Sequence, residues 1–476
     1  MNFRPVQSMP FATSGVWVSP NVLAMTVAVY AMFLFAPRVL HDGDTYWHIA
    51  AGNWMLAQQS VPRTDPFAFT TAGMVWVPHE WLAEVIMALA FRFGGWAGVV
   101  MLTAAAAALA IGLMARHLER FLAPVPAYAM LLLAVLTVMP TMLARPHILA
   151  LPIMEFWVAR LVIARAEGRA PSVWLAGAML VWTNLHGGFM IGLAVAGAMA
   201  VEAIASAGPA WRAALRGWLF FLIAATVAAC LTPLGLDGIL FPFQMLRLGA
   251  LRNIQEWQAP NFQELQPLEF ILIAALLLGL TGGVRLPWFR VSLFLGLLHS
   301  ALQHTRFQLQ LSFIGFLLVA PALGLRFPRN AGGADRVGRA AVWVLAGLLL
   351  LLSAVRFVMP ITRADIAGSP VTALAHISPE MRAQPVLNAY PFGGFLIFHG
   401  MHPFVDSRAD LYRDAFLQDY LAIQQPQPDR VREVVTRYGI TWTLQEPGSA
   451  LASWLDTQPD WQRLYADDYA VIHIKR

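Results

Sequence analysis

Apolar runs long enough to cross a bilayer recur along this chain, near residues 19–36, 96–115, 124–143, 148–165, 171–185, 188–206, 213–232, 267–283, 288–303, 307–325 and 338–358. A spanning helix needs about 20 mostly apolar residues, so the pattern predicts an all-α polytopic membrane protein with about 11 transmembrane helices. Only 12% of the residues are charged, against roughly 25% in soluble domains, which excludes an ordinary soluble fold. The net charge of +5 therefore points to cytoplasmic loops and not to a nucleic-acid footprint. The single cysteine, Cys230, sits in an apolar segment, so no intramolecular disulfide and no thiolate metal site is expected.

Positive charge sets the orientation. With the N-terminus cytoplasmic, the inner loops are Arg116–Arg120, Arg160–Arg169, Trp211–Arg216, Arg285–Arg290 and Arg326–Arg339, each carrying at least two arginines. The first apolar stretch then acts as a retained signal anchor. This orientation requires that 80–93, short and carrying Glu80, Glu84 and Arg92, lie along the interface instead of spanning. The expected domains are a membrane region, 1–360, with a first extracytoplasmic loop at 37–95, and a small soluble α/β domain at 361–476. In the latter, Phe395–Phe398, Thr441–Leu444 and Ala470–Ile474 read as strands, and Ala415–Ile423 and Asp429–Tyr438 as helices. An odd number of spans puts this domain outside.

Polar residues collect at the outer ends of the helices: Asp42, Asp44, His79, Glu80, Arg145, His147, Asn184, His186, Arg252, Glu256, His304 and Arg306. Ionisable groups at membrane depth cost roughly 2.5–3.5 kcal/mol on insertion scales, so such a concentration suggests one site at the outer face. Each feature also has a plain structural explanation. Asp42-Gly-Asp44 is a helix stop followed by a capping aspartate, and Asp65 caps the turn Val61–Pro66. Arg145 and Arg306 either snorkel to lipid headgroups or bind an anion. Asp406-Ser-Arg-Ala-Asp410 is a solvated turn or an internal ion pair. No Walker, Rossmann, HExxH or GxSxG pattern is present. The outer carboxylates and histidines leave a divalent cation (Mg or Mn) open, without ligand spacing to support it.

The stretch Asp44-Thr-Tyr-Trp-His-Ile-Ala-Ala-Gly-Asn-Trp-Met-Leu, then Val61-Pro62, then Pro78-His-Glu-Trp-Leu82 resembles the first outer loop of the GT-C superfamily of membrane glycosyltransferases. That group includes protein O-mannosyltransferases, aminoarabinose transferases and oligosaccharyltransferases. The likeness in layout covers residues 20–210. Asn388-Ala-Tyr-Pro-Phe-Gly-Gly-Phe-Leu-Ile and Val405-Asp-Ser-Arg-Ala-Asp-Leu-Tyr412 are also similar to a C-terminal region of bacterial GT-C-like proteins.

The resemblance implies a multi-pass protein of the bacterial inner membrane that moves a sugar from a polyprenyl-phosphate donor to a glycan, lipid or protein acceptor at the outer face. It assigns the catalytic base to Asp44 with Asp42 in support. Donor phosphate binding falls to Arg145, Arg252, Arg306 or His79. The sugar or acceptor pocket falls to Glu80, His147, Asn184, His186, Glu256 and His304. Family members often carry a basic residue near the start of the second interfacial helix, where this chain has His79 and Glu80. A flippase or a non-catalytic envelope scaffold is the competing expectation; a transporter would place charge near the bilayer midplane on broken helices.

Overall fold

In the computed structural model, residues 19–329 and 338–476 are described. The flank of the expected signal anchor, 1–18, and residues 330–337 of the Arg326–Arg339 loop lie outside them. Each expected span coincides with a helix. In chain order these are α1 (Pro20–Phe35), α2 (Asp44–Gln58), α3 (Trp81–Phe121), α4 (Pro124–Val138), α5 (Pro146–Ala166), α6 (Ala176–Leu185), α7 (Phe189–Ser206), α8 (Trp211–Cys230) and α9 (Leu236–Met245). They continue with α10 (Pro267–Leu280), α11 (Trp288–Gln303), α12 (Gln308–Gln310), α13 (Phe316–Arg326) and α14 (Arg339–Val358). A single π turn, Leu311–Gly315, joins α12 to α13. Among the described residues, seven helices are long and apolar enough to cross a membrane. The other expected spans, α1, Val173–Leu185, α10 and α11, are shorter helices.

The expected interfacial helix at 80–93 and the span after it form one helix, α3, of 41 residues. At 1.5 Å per residue that is about 60 Å, twice the hydrocarbon thickness, so it cannot run straight across. It breaks at Gly95, whose φ of 55° and ψ of −145° only glycine adopts without strain. The break separates an outer half containing Glu84 from the alanine-rich half that α1 and α5 pack against.

Where α5, α7 and α11 meet, arginine bridges helices. Glu202 on α7 takes the Arg290 fork from α11 at 2.9 and 3.1 Å and lies 3.0 Å from Arg165 on α5. This ion trio ties three helices together where charge alone would snorkel to water. Glu155 is the exception to charges at helix ends: it lies in the middle of α5 with both carboxyl oxygens buried and unpartnered.

Beyond α14 come α15 (Pro379–Arg382), α16 (Gly393–Phe398), α17 (Ala409–Gln424), α18 (Pro428–Tyr438) and α19 (Ala450–Leu455). With them is a four-stranded sheet of order β1-β2-β4-β3: β1 (Val386–Asn388), β2 (Trp442–Gln445), β3 (Trp461–Ala466) and β4 (Val471–Lys475). β1 and β2 are parallel and the other pairs antiparallel. The expected strand at Phe395–Phe398 is instead the end of helix α16. A four-residue apolar run fits either form, and here tertiary contact decides. A Cβ at Gly394 would come within 2.6 Å of the Gly43 carbonyl, so the turn packs backbone to backbone on the start of α2.

The apolar core does not stop at residue 361. Ala51, Met55 and Trp76 of the first outer loop share one buried cluster with Phe404, Val405, Tyr412 and Tyr420. Arg363 reinforces the joint, donating to the Tyr46 hydroxyl at 3.0 Å and the Leu40 carbonyl at 2.9 Å.

Gly52 sets how closely α2 approaches α3: a Cβ there would sit 2.0 Å from the Glu84 carbonyl oxygen. In an isolated helix Gly→Ala is worth up to about 1 kcal/mol of stability, but overpacking costs about 1–3 kcal/mol. Gly52→Ala is expected to lower the thermal midpoint in detergent; a raised midpoint would contradict this contact.

Candidate active site

The end of the bundle that packs on the C-terminal region is organised around the Asp42-Gly43-Asp44 corner. Gly43 is wedged under the C-terminal region, where a Cβ would meet the Pro391 carbonyl at 2.9 Å. The chain therefore turns sharply and starts α2 at Asp44. The expected aspartate cap is not made: Gly43 is the N-cap of α2 and no side chain caps it, while Asp42 Oδ1 accepts the Asp44 N–H at 3.1 Å in the turn that leads in. It also receives the guanidinium of Arg145, Nη2 at 2.8 Å and Nε alongside. Arg145 precedes Pro146, which starts α5, so this guanidinium comes from a different helix end.

Arg145 holds two further carboxylates. Asp44 Oδ2 lies 3.0 Å from its Nη2 and Glu256 Oε2 lies 3.2 Å from its Nη1. The other oxygen of Glu256 accepts from Arg306 at 3.0 Å, and the Arg306 guanidinium sits 4.3 Å over the Trp257 ring. Two arginines thus clamp one carboxylate carried by the 231–266 loop.

This cluster forms one side of a cavity of ≈ 160 Å³ whose lining includes Asp44, His48, His79, Glu80, Glu84, Arg145, His147, His186, Glu256, Arg306, Gln310, Arg408 and Asp410. Of the expected site residues, it brings together Asp44, His79, Glu80, Arg145, His147, His186, Glu256 and Arg306, with Asp42 behind Arg145. It does not bring in three others. Asn184 is a strut, accepting from Trp81 Nε1 at 2.7 Å and donating to the Leu180 and Leu231 carbonyls. His304 Nδ1 is 2.6 Å from the Trp257 carbonyl and holds the loop. Arg252 is exposed and outside the lining.

The histidines are oriented by their neighbours. His186 Nδ1 accepts the Gly188 N–H at 3.0 Å, so in the neutral ring Nε2 carries the hydrogen, facing Glu80 at 3.4 Å. His147 Nε2 donates to the Thr141 carbonyl at 2.9 Å. His79 stacks on Phe241 at 4.0 Å and lies 3.6 Å from Glu80. Gly187, next to His186, makes room for the His79 ring.

Burial and neighbouring charge push the two aspartates apart. Burial raises Asp44, with the Asp42 charge adding to it and Arg145 opposing, to about 6. Burial would raise Asp42 as well, but the Arg145 charge and fork hold it below the usual carboxylate range. Glu256 is also held low: burial opposes, but Arg306 and Arg145 outweigh it. Burial drops His186 to about 3, so it is neutral at pH 7. Among the described residues, no group of three His, Cys, Asp or Glu side chains is arranged to hold a metal ion. Asp42, Asp44 and Glu256 are turned to arginines, and Glu80 and Glu84 to histidines.

Sequence inspection alone passed over several lining residues. His48 follows Asp44 by four positions on α2, a spacing that puts both on one helix face and was available as a signal. Arg408 and Asp410 carried no such signal, because they arrive from the C-terminal region. Asp406-Ser-Arg-Ala-Asp410 contains a buried ion pair. Arg408 donates to Asp406 at 2.6 and 2.9 Å and to Asp65 at 2.7 Å. Asp65 does cap its turn, accepting the Phe67 and Ala68 N–H groups at 3.0 and 3.1 Å, and it also anchors the distant segment.

No family model matches the chain, and no curated protein matches it in sequence. Solved structures do match in fold. The ArnT of Cupriavidus metallidurans bound to undecaprenyl phosphate aligns over 95% of this chain and 97% of its own, with TM-score 0.52 and 12% identity. The same protein in the apo state gives 0.53 and 13% over the same shares. The apo Archaeoglobus fulgidus oligosaccharyltransferase gives 0.53 and 10% over 90% of this chain and 69% of its own.

Removing Arg408 would strand Asp65 and Asp406 in the interior, and breaking such a buried pair costs about 3–5 kcal/mol. Arg408→Leu is expected to lower the thermal midpoint sharply in detergent, whereas removing the surface partner by Arg432→Leu, paired with the exposed Asp429, should leave it nearly unchanged. Over at least 90% of its length the chain therefore shares the fold of these ArnT and oligosaccharyltransferase structures.

Proposed function

We propose that this protein is a membrane glycosyltransferase that passes a sugar from a polyprenyl phosphate to an acceptor at the extracytoplasmic face. The observation that carries the proposal is Asp44: a carboxylate on the cavity, 3.0 Å from Arg145, with its proton affinity raised to about 6. A general base works best with a pKa near the operating pH. Two carboxylates pushed apart by their surroundings divide the labour. Asp44 takes the proton from the acceptor nucleophile as it attacks the anomeric carbon. Asp42 stays ionised and fixes Arg145. The bond to the donor phosphate breaks with its electron pair leaving on phosphate oxygen. The ArnT match with undecaprenyl phosphate supports the class of donor. The acceptor stays open among glycan, lipid and protein.

Arg145 and Arg306 are the cations placed to stabilise the departing phosphate. Both already hold Glu256. Glu256 stands where a bridging phosphate oxygen would bind, on a loop residue whose side chain is 38% exposed. Donor binding therefore displaces Glu256 and frees Arg306 and the Nη1 of Arg145, whose other nitrogens stay on Asp42 and Asp44. The histidine pair His79 and His186 with Glu80 forms the opposite wall. A scaffold without chemistry has no use for a cavity carboxylate whose proton affinity is raised to about 6 beside an arginine.

Three outcomes are expected. In a single-turnover assay with lipid-linked sugar, the transfer rate falls as pH drops through about 6, because protonation removes the active form of Asp44, and it is level above. Asp44→Asn lowers the rate by about 10²–10⁴-fold, the usual worth of a general base; a wild-type rate in this variant would rule out the assignment. Glu256→Gln removes the competing anion and is expected to tighten binding of undecaprenyl phosphate several-fold, measured by titration in detergent. Weaker binding would show that Glu256 is not a stand-in for phosphate.

A further inference from the structure

The residues that the sequence nominated for a sugar pocket are largely occupied with one another. Asn184 makes three hydrogen bonds within the fold, His186 is held by Gly188 and Glu80, His147 by Thr141, and His304 by Trp257. A ligand hydroxyl gains little from groups whose hydrogen bonds are already made.

Three other side chains on the same cavity are in the opposite condition. Trp47 Nε1, Glu84 Oε2 and Gln310 Oε1 are buried and have no hydrogen-bond partner, and all three residues line the cavity. Buried polar atoms are nearly always paired, so each such orphan calls for an explanation. Here three orphans belong to residues of three elements that line one cavity: Trp47 from α2, Glu84 from α3 and Gln310 from α12. Glu84 is 1% exposed, and its other oxygen is fixed 3.3 Å from His48 Nδ1. Trp47 is fixed too, its ring 3.7 Å from the His48 ring. The Gly52 contact that draws α2 onto the Glu84 backbone sets this geometry. The atoms are one donor and two oxygens beside an indole face, a set complementary to the hydroxyls and apolar face of a sugar ring.

We propose that Trp47, Glu84 and Gln310 form the subsite for the sugar carried by the donor lipid. The proposal rests on the glycosyl-transfer function above and makes these residues the ones that recognise the sugar, while Arg145 and Arg306 bind the phosphate. Sugar-bearing lipid would then bind through both halves, and bare lipid phosphate through one.

The test compares two probes on purified protein in detergent: bare undecaprenyl phosphate, and undecaprenyl phosphate carrying a pentose or a hexose. Trp47→Phe keeps the ring and removes the N–H; Glu84→Gln keeps the size and replaces an oxygen by an amide nitrogen. Each is expected to weaken the better-bound sugar-bearing probe by about tenfold, the worth of one good hydrogen bond, with bare lipid unchanged. Unchanged bare-lipid binding also shows that the variants are folded. Equal loss on both probes would mean that the residues only shape the fold, and no loss on either that the orphan atoms are satisfied by water; both results overturn the subsite. If the wild type binds neither probe, the glycosyltransferase reading itself fails, a result distinct from the other two.

Discussion

One guanidinium holds the cavity end of this protein together. Arg145, at the start of α5, reaches Asp42 and Asp44 at the start of α2 and Glu256 on the 231–266 loop. Without it three carboxylates would be crowded below the surface, a condition that charge repulsion and desolvation forbid. The same contact depresses Asp42 while leaving Asp44 high. Structure and proposed chemistry therefore depend on one residue. A lysine could not replace its fork, since an ammonium is a point charge without paired planar donors.

A second guanidinium, Arg408, does for the C-terminal region what Arg145 does for the bundle. It is 2% exposed and joins Asp406 to Asp65 across more than three hundred residues of sequence. Its cost is the desolvation of three charges; the return is a cavity wall built from two distant parts of the chain. Ser407, Arg408 and Asp410 thereby belong to the site as much as Asp44 does. The C-terminal sheet behind them shares its core with the first outer loop. Removing that region would open the cavity rather than merely shorten the protein.

The cavity divides into groups that satisfy one another and groups that do not. Arginine–carboxylate and histidine–carboxylate pairs make up the first kind. The unpartnered atoms of Trp47, Glu84 and Gln310 are of the second kind. The proposed uptake of a phosphate and a sugar would use both: internal anions that can be exchanged for phosphate, and open valences for hydroxyls.

Much of this was readable from polarity along the chain. Lipid accepts only helices with their backbone bonds made internally, so apolar runs mark the helices, and each run at 19–358 coincides with one. The short polar stretch at Asp42–Asp44 and the corner at Arg145 stood out because charge is rare at such depth. Other features depended on tertiary contact. Phe395–Phe398 became helical because Gly394 lets its turn pack on the backbone at Gly43. Asn184 and His304 became struts, since a polar residue at a helix end reveals that it needs a partner but not which one it finds. Glu84 and Gln310 looked like ordinary helix residues until close packing left their polar atoms buried beside a cavity. Local polarity is written residue by residue; which polar groups meet, and which are left waiting for a ligand, is decided only when distant segments pack.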